Sequence, residues 1–413
     1  MTSDPVLDAA RDAGLIDDAD TAAILYDLDV LDRQMARVRS SFPSTAHHAV
    51  AVKSNPLVCV LREIAAAGLY AEAASAEELA LASAAGFDGR TVWDSPAKTG
   101  SEIAAAMNDT PWLVNVDSIA ELDRYPAGDV RLGLRINPER RPNSISSLAT
   151  GVAGSKFGIP ISERSAIIEA FDRETRLTAL HVHSGSNSRS LQPMVDGVAA
   201  VVALAEEINA RSATRGRIDT IDIGGGLRFT DHGDDELSVE RYASMLESQV
   251  PRLFDGSYRI VTEFGRFHHL AAGRTATRVE YVTPSAARTN VVVHVGADSF
   301  VREVYDSEHW QVDIAGRGRA SDPSGDAPAE GFNVVGPLCF EGDVIARNVL
   351  GELPEPGDWL VLNGTGANTF SLWSRHCSRA FPVVLLYRSS DVAGSLRVGK
   401  RRESIDDAIA LWS

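Results

Sequence analysis

The stretch Ala-Val-Lys-Ser-Asn-Pro, residues Ala51 to Pro56, places a lysine at the end of an apolar run. Residues Ala49 to Val52 are apolar or small, which is typical of a parallel strand that is buried on both faces. Lys53 therefore stands at the carboxyl end of that strand. Because burial penalises an ammonium, we expect the pKa of Lys53 to fall, which leaves a neutral amine that can form a Schiff base.

The chain around this lysine alternates strands with helices. Eight such units over about 240 residues match a closed (β/α)8 barrel, and an open doubly wound sheet is the competing interpretation. We favour the barrel. The predicted strands are His47–Lys53, Tyr70–Ala74, Thr91–Asp94, Trp112–Val116, Val130–Ile136, Leu177–His183, Thr220–Ile223 and Tyr258–Glu263.

The pattern changes in the last third of the chain. Segments of strand length, among them Arg274 to Val282 and Phe332 to Phe340, are separated by Gly-Asp and Pro-Gly turns, which predicts an all-β domain. The fold class is therefore α/β plus β. The predicted organisation is an N-terminal segment, 1–27, that joins the β-domain, a TIM-like (β/α)8 barrel, 28–273, and a C-terminal all-β domain, 274–413.

The composition excludes several kinds of partner. The 413 residues are 44% hydrophobic and 23% charged, and their net charge of -17 argues against nucleic acid or an anionic membrane. No apolar run approaches the roughly 20 residues of a membrane span, and the acidic start lacks a signal-peptide core, so we expect a cytoplasmic protein. The cysteines, Cys59, Cys339 and Cys377, are too scattered for a disulfide framework or a zinc site, and no metal is predicted.

Polar and glycine residues cluster where the later predicted strands end, which is where such barrels place their working residues. They are Arg135, His183 and Glu263 at the ends of the fifth, sixth and eighth strands, and Ser186, Gly225, Gly226, Gly265 and Arg266 just after the sixth, seventh and eighth strands.

These residue types together match one cofactor. Glycines let backbone N–H groups approach a phosphate, and Arg266 can add a fork of donors. Glu263 would be an uncommon buried carboxylate unless a cation such as a protonated pyridine nitrogen faced it. His183 could stack on a planar ring. A tight turn would also explain the glycines, and a hydrogen-bonded histidine of the core would also explain His183. A lysine for a Schiff base completes the set that pyridoxal 5'-phosphate requires.

Six segments, in this order, resemble the fold-type III pyridoxal-phosphate decarboxylases, the family of diaminopimelate, ornithine and arginine decarboxylases. The resemblance runs from about Ala22 to Tyr387. Its segments are Ala-Val-Lys-Ser-Asn-Pro at 51–56, Ser-Lys-Phe-Gly-Ile at 155–159, His-Val-His-Ser-Gly-Ser at 181–186, Asp-Ile-Gly-Gly-Gly at 222–226, Glu-Phe-Gly-Arg at 263–266 and Gly-Pro-Leu-Cys-Phe-Glu-Gly-Asp at 336–343.

The resemblance implies a role for each residue. Lys53 would form the Schiff base, His183 would stack on the cofactor ring and Glu263 would contact the ring nitrogen. Cys339 would come from the partner subunit of a homodimer with shared active sites and return a proton to the carbanion left by CO2. The remaining implied contacts are Ser186, Gly225, Gly226, Gly265 and Arg266 to the phosphate, Arg135 to the cofactor region, and Asp343 to the substrate.

Three positions depart from the family pattern. Phe340 stands where members that act on diamino acids carry an acidic residue, and an aromatic ring cannot balance a buried ammonium, so diaminopimelate, lysine and ornithine are not the expected substrates. Glu341 should point elsewhere if this segment is extended. Asn368 replaces a common tyrosine near the cofactor. Arg302, our candidate for the substrate carboxylate, precedes Tyr305 by three residues instead of four, and a one-residue slip in a strand would reverse its face.

The expected activity is pyridoxal-phosphate-dependent decarboxylation of an amino acid or amino-acid conjugate. Two alternatives stay open. An amino-acid racemase or epimerase on the same barrel would need a second base on the face opposite Lys53. A non-catalytic pyridoxal-phosphate-binding protein would usually lack the β-domain.

Overall fold

The structure, a computed structural model, describes residues 4–109, 111–140, 150–211, 217–229, 235–285, 288–319 and 331–413. Contacts within the chain divide it into two compact units, Gln34–His268 and Met1–Arg33 with His269–Ser413. We call the first the barrel unit and the second the sheet unit.

The described part of the chain contains nineteen strands and thirteen α-helices. The strands are β1 Ala22–Asp27, β2 His47–Ala51, β3 Tyr70–Ala73, β4 Thr91–Asp94, β5 Leu113–Val116, β6 Leu132–Asn137, β7 Ile159–Pro160, β8 Leu177–His181, β9 Thr220–Asp222, β10 Arg259–Thr262, β11 Gly273–Thr283, β12 Thr289–Val293, β13 Asp313–Ile314, β14 Gly318–Arg319, β15 Phe332–Val335, β16 Val344–Leu350, β17 Trp359–Asn363, β18 Val383–Tyr387 and β19 Arg397–Lys400. The helices are α1 Pro5–Asp12, α2 Leu28–Ser41, α3 Val58–Ala66, α4 Ala76–Ala85, α5 Gly100–Asp109, α6 Ile119–Leu122, α7 Arg164–Arg173, α8 Gln192–Ala210, α9 Val239–Gln249, α10 Arg266–His269, α11 Val301–Tyr305, α12 Val392–Ser395 and α13 Ile405–Trp412.

Eight parallel strands close into a barrel in the order β2, β3, β4, β5, β6, β8, β9, β10, with β10 pairing back to β2. The predicted barrel is confirmed, and the open doubly wound sheet is excluded. Each of the eight predicted barrel strands is present. The first one ends at Ala51 rather than Lys53, because residues Val52–Ser54 turn into one 3-10 turn.

Apolar side chains on both faces of the strands explain the closure. Along β2, Ala49 and Val50 have no exposed surface, as expected for a parallel strand covered inside and outside. Helix α8 buries a long apolar stripe that includes Val195, Val198 and Val202. Among the described residues, none of the helices combines the length and apolar character that crossing a bilayer requires.

The sheet unit is built around β11. Strand β1 pairs antiparallel with β11 and parallel with β18, so the N-terminal segment contributes a strand to this unit. The sheet runs β14, β16, β15, β12, β11, β1, β18, β19, and β17 pairs with β11 and β13. The C-terminal helix α13 begins with a capping box that joins Ser404 with Asp407.

One predicted strand of this unit is shorter than expected. Strand β15 ends at Val335, and residues 336–343 form a loop of turns instead of the extended segment predicted to Phe340. The buried carboxylate of Asp343 accounts for this, because it accepts hydrogen bonds from the backbone N–H groups of Ala297 and Leu338, both at 2.7 Å. Those donors would otherwise need partners from a neighbouring strand.

Candidate active site

Lys53 lies in the 3-10 turn directly after β2, and its Nζ forms an ion pair with the Oε2 of Glu72 on β3. The Glu72 side chain has no exposed surface, whereas the Lys53 side chain is 47% exposed. Neighbouring strands of the barrel thus bring an amine and a buried carboxylate together at the carboxyl ends of the strands.

The pKa of Lys53 is raised, whereas we expected it to be lowered. Burial does act to lower it, but the carboxylates of Glu72 and Glu263 outweigh burial, and the net direction is upward. Burial also acts to raise the pKa of Glu72, and the charge of Lys53 opposes this effect. The prediction of a lowered lysine pKa is therefore wrong, because the apolar stretch around Lys53 gave no sign of the acids that face it.

Glu263 follows β10 and is buried beside two histidines. Its Oε2 lies 3.6 Å from the Nε2 of His181 and 3.6 Å from the Nδ1 of His183. Among the described residues, neither carboxylate oxygen has a hydrogen-bond partner. Burial acts to raise the pKa of Glu263, but the two histidines outweigh it and hold that pKa below its usual range. A buried, ionised carboxylate whose oxygens accept no hydrogen bond from the described residues is a strong acceptor for a cationic N–H group.

His181 and His183 differ in their surroundings. His181 ends β8 with no exposed surface, and burial lowers its pKa to about 4. The Nδ1 of His183 accepts a hydrogen bond from the backbone N–H of Gly225 at 3.4 Å. This bond leaves the other ring nitrogen of His183 to carry the proton in the neutral form.

Arg135 on β6 is held by two carboxylates and a ring. Its Nη1 lies 3.3 Å from an oxygen of Asp94 and 3.4 Å from one of Asp117, and its guanidinium covers the ring of Phe157 at 4.5 Å. Burial acts to raise the pKa of Asp94, but Arg135 and His181 outweigh it and lower that pKa. The predicted cofactor-region arginine is thus fixed inside the barrel mouth by its own ion pairs.

Three loops approach one another so closely at the ends of β8, β9 and β10 that only glycine fits. A Cβ on Gly225 would lie 2.4 Å from the carbonyl oxygen of Glu263, and a Cβ on Gly226 would lie 2.4 Å from that of Gly185. A Cβ on Gly265 would lie 2.6 Å from the Oγ of Ser54, beside Lys53. The structure therefore brings the predicted glycines together with the Lys53 turn and Glu263.

Two further predicted phosphate ligands lie on these same loops. Ser186 is half-buried and follows Gly185 directly, and Arg266 begins α10 directly after Gly265. Next to them, the buried carboxylate of Asp222 accepts hydrogen bonds from the side chain of Asn115 at 2.9 Å and from the backbone of Gly224 at 3.0 Å. Burial raises the pKa of Asp222 well above its usual value.

This set of groups fits pyridoxal 5'-phosphate. The unpaired buried carboxylate of Glu263 is the acceptor that a protonated pyridine nitrogen needs, and the glycine loops with Arg266 have the donors that a phosphate needs. Lys53 is an amine at the same end of the barrel. The predicted cofactor-binding residues of the barrel unit lie at or just after the carboxyl ends of its strands.

The remaining predicted residues lie in the sheet unit. Cys339 is exposed, and the neighbouring Cys377 raises the pKa of its thiol. Phe340 stacks on Tyr305 with the ring centroids 5.7 Å apart and the planes 3° from parallel. Asn368 has a left-handed backbone with φ of 56°, a conformation that asparagine tolerates better than most residues.

Arg302 and Tyr305 require a correction. They lie in α11 and not in a strand, so a spacing of three residues keeps both side chains on one face of the helix, as a spacing of four would. The argument from a reversed face is therefore wrong. The guanidinium of Arg302 covers the ring of Trp310 at 4.9 Å, and burial lowers its pKa. The argument about Glu341 is wrong as well, because its segment is a loop of turns.

Sequence reasoning missed several acids of the barrel mouth. They share one signal, a carboxylate within or directly after a predicted strand, which is the same rule that identified Glu263. They are Glu72, Asp94 and Asp117.

Known proteins resemble this chain over nearly all of its length. The diaminopimelate decarboxylase of Deinococcus radiodurans is 32% identical over 95% of this chain and 95% of its own. That of Aquifex aeolicus is 27% identical over 94% and 90%. The crystal structure of diaminopimelate decarboxylase from Helicobacter pylori complexed with L-lysine superimposes with a TM-score of 0.84 at 24% identity, covering 97% of this chain and 98% of that one, which supports the fold.

A family profile gives the same assignment. The pyridoxal binding domain of the pyridoxal-dependent decarboxylases matches residues 28–269, which contain all of the barrel strands. The chain therefore belongs to the fold-type III pyridoxal-phosphate-dependent decarboxylases, carbon–carbon lyases that act on amino acids with pyridoxal 5'-phosphate as cofactor.

Proposed function

We propose that this enzyme decarboxylates an amino acid or amino-acid conjugate whose side chain carries no free distal ammonium, and that diaminopimelate is not its preferred substrate. The observation that carries this proposal is the parallel stacking of Phe340 on Tyr305, one residue from Cys339. The edge of His376 meets Phe340 with the centroids 6.1 Å apart. The rings of Phe340, Tyr305 and His376 form an aromatic surface at the position where an enzyme that acts on diamino acids would need a carboxylate.

The roles of the barrel residues are part of the proposal. Lys53 would hold the cofactor covalently, and Glu72 would keep a proton close to that amine. Glu263 would accept the proton-bearing ring nitrogen, while His183 would cover the ring face. The phosphate would be bound by Ser186, Gly225, Gly226, Gly265 and Arg266.

Arg135 would line the cofactor region together with Asn368, and Arg302 would bind the substrate carboxylate. When bound, pyridoxal phosphate supplies an electron sink for the negative charge left on the substrate's α-carbon as CO2 departs. Glu263 supports that sink, because an ionised carboxylate keeps the ring nitrogen protonated.

Cys339 would deliver the proton that replaces CO2, supplied across a homodimer with shared active sites. Its raised pKa suits this role, because the thiol keeps its proton near neutrality and can act as a general acid. Asp343 holds the loop that carries Cys339 through its two backbone hydrogen bonds, and we propose that it also lies on the substrate side of this loop.

A panel of amino acids tests the proposal. Purified holoenzyme is assayed for CO2 release from meso-diaminopimelate, lysine, ornithine and arginine, and from neutral, acidic, aromatic and acylated amino acids. We expect the highest kcat/KM in the second group. Preferential turnover of meso-diaminopimelate would refute the argument from Phe340. Loss of optical rotation without CO2 release would identify a racemase, and binding of the cofactor without turnover of any substrate would favour a non-catalytic protein.

A further inference from the structure

The side chains of Glu263, His181 and His183 converge at the carboxyl ends of β8 and β10. The Oε2 of Glu263 lies 3.6 Å from the Nε2 of His181 and 3.6 Å from the Nδ1 of His183. All three atoms lie within 4.8 Å of one another. One carboxylate oxygen therefore faces two imidazole nitrogens, and both kinds of atom bind metal ions.

The proposed mechanism leaves one member of this cluster without a task. His181 has no exposed surface and Glu263 is 2% exposed. Among the described residues, neither nitrogen of His181 and neither carboxylate oxygen of Glu263 has a hydrogen-bond partner. Buried polar groups nearly always have one, and a bound ion is one explanation for such groups. The ring nitrogen of the cofactor would satisfy Glu263 but not His181.

The spacing of the three atoms suits zinc. Bonds of about 2.1 Å place two ligands of a tetrahedral zinc ion about 3.4 Å apart, close to the two distances of 3.6 Å here. Two histidines and a glutamate are a ligand set of zinc sites in which water takes the fourth position. The Nδ1 of His183 already acts as an acceptor, in a long hydrogen bond of 3.4 Å from the N–H of Gly225 that a metal could replace.

A further carboxylate stands behind His181. The Oδ1 of Asp94 lies 3.8 Å from the Nδ1 of His181, the nitrogen that faces away from Glu263. This distance is about 1 Å longer than a hydrogen bond. A histidine that binds a metal usually donates its other N–H to a carboxylate, which orients the ring and makes it a stronger ligand. Burial also lowers the pKa of His181 to about 4, and a metal binds the deprotonated ring.

The surrounding charges favour a cation at this place. Lys53 forms its ion pair with Glu72. Arg135 forms an ion pair with Asp94, at 3.3 Å. Among the described residues, no lysine or arginine lies within ion-pair distance of Glu263, so its buried charge has no fixed cationic partner.

We propose that the cofactor-free enzyme binds a zinc ion through Glu263, His181 and His183, and that this ion prevents pyridoxal phosphate from binding. The exclusion rests on the proposed function, in which Glu263 contacts the ring nitrogen and His183 covers the ring. The same carboxylate and the same imidazole cannot serve the metal and the ring together. Because the exclusion is reciprocal, the cofactor-loaded enzyme should bind no zinc at this site.

A titration with zinc chloride tests the site. The cofactor is removed from the holoenzyme with hydroxylamine, and zinc is added in competition with a chromogenic chelator. We expect about one ion per chain at this three-ligand site. His181→Gln should weaken binding by at least about 100-fold, since even loss of a carboxylate behind a ligating histidine costs about 10–100-fold. Zinc affinity equal to that of the wild type in His181→Gln would overturn the inference.

Two controls keep the result specific. His48→Gln replaces another buried histidine, which bonds Thr262 at 3.1 Å, and should keep the zinc affinity of the wild type. Cys339→Ser removes an exposed thiol and should keep it as well; loss of zinc binding in this variant would contradict the site. Cofactor uptake by His181→Gln shows that it is folded. If it takes up none, Asp94→Asn replaces it, with an expected loss of about 10–100-fold in zinc affinity.

Uptake of pyridoxal phosphate, followed by its near-visible absorbance, tests the exclusion. Zinc at about 100 times its dissociation constant should raise the cofactor concentration for half-loading about 100-fold. The half-loading concentration of His181→Gln should stay the same at that zinc concentration, which also controls for zinc bound by free cofactor. If the wild type held zinc through His181 and the cofactor together, the assignment of Glu263 to the ring nitrogen in the proposed function would be refuted, and the exclusion with it.

Discussion

The Nζ of Lys53 forms an ion pair with Glu72, a carboxylate on the next barrel strand that has no exposed surface. Because the sheet of a barrel closes on itself, the buried side chain of Glu72 is surrounded by neighbouring strands and their loops, and its partner comes from one of these. The amine that would hold the cofactor is therefore kept positively charged by a second residue of the protein.

We predict that Glu72→Gln shifts cofactor uptake to lower pH. Removing the charge removes the strongest upward effect on the pKa of Lys53, while burial, which lowers that pKa, remains. Because the amine must be neutral to react with an aldehyde, the midpoint of uptake should move down by about 1–3 pH units, the usual effect of one nearby opposite charge. The measurement is the near-visible absorbance of the lysine-bound cofactor against pH.

A surface ion pair offers the control. Glu240→Gln breaks the exposed bridge between Glu240 and Arg37, whose atoms lie 2.8 Å apart, and should leave the midpoint where it is in the wild type. An unchanged midpoint in Glu72→Gln would show that this carboxylate does not govern the amine.

We predict that Glu263→Gln lowers kcat by about 10²–10³-fold, the typical effect of losing one preorganised electrostatic group. An amide cannot keep a ring nitrogen protonated as the ionised, unpaired carboxylate does. Cofactor content should remain near that of the wild type, because Lys53 and the glycine loops are untouched. CO2 release and cofactor absorbance report the two quantities separately.

The matching control is Glu206→Gln, which removes an exposed carboxylate 2.6 Å from Arg252 and should leave kcat unchanged. If Glu263→Gln kept wild-type kcat with full cofactor content, the assignment of Glu263 to the ring nitrogen would be wrong.

The sequence predicted the barrel well because short, mostly apolar segments are typical of buried parallel strands, and most of the eight barrel strands follow this pattern. It also predicted that the candidate site residues of the barrel unit lie at the carboxyl ends of its strands, since that rule depends only on topology. The domain boundaries at 27/28 and 273/274 and the individual residue roles stay predictions.

Contacts made only by the folded chain could not be predicted. From the sequence Tyr-Ala-Glu-Ala alone, Glu72 could equally face the solvent. Its burial depends on the neighbouring strands of the closed barrel. The loop at 336–343 was predicted as a strand because its apolar residues suit one, and only the burial of Asp343 shows that the local backbone donors have another acceptor. Arg302 was placed in a strand although five residues of helix carry it.

We predict that the stability of the barrel unit falls as the pH drops from 6.5 to about 4, in part because of His48. Burial lowers the pKa of His48 from 6.5 to about 4. Above pH 6.5 neither state binds this proton, and below it the unfolded chain binds the proton while the folded chain does not, so folding loses stability. The contribution of this one residue is at most about 3 kcal/mol.

The variant His48→Gln isolates this effect, because glutamine does not titrate. Urea unfolding at a series of pH values should give a slope between pH 6.5 and 4 that is shallower by up to about 1.4 kcal/mol per pH unit, the effect of one proton. Above pH 6.5 the slopes of the variant and the wild type should agree, whatever their difference in overall stability. Equal slopes across the acid range would refute the linkage to His48.

We predict that Phe340→Glu raises kcat/KM for lysine and diaminopimelate relative to the preferred substrate. A carboxylate beside Cys339 could pair with a distal ammonium, and such a charged hydrogen bond contributes about 1.5–3 kcal/mol, or about 10–150-fold. The loop should keep its fold, since Asp343 anchors it through backbone groups and not through the Phe340 ring.

The comparison with Phe340→Leu separates the effect of the added charge from the effect of a smaller side chain, because leucine removes the stacking on Tyr305 without adding a carboxylate. If aromatic stacking shapes the pocket, both variants should lose turnover of the preferred substrate, but only Phe340→Glu should gain on diamino acids. An equal gain in both would mean that the ring excludes diamino acids by its size, and no gain in either would mean that Phe340 does not face the substrate's side chain. The decisive measurement is the ratio of kcat/KM values between lysine and the preferred substrate in the three proteins.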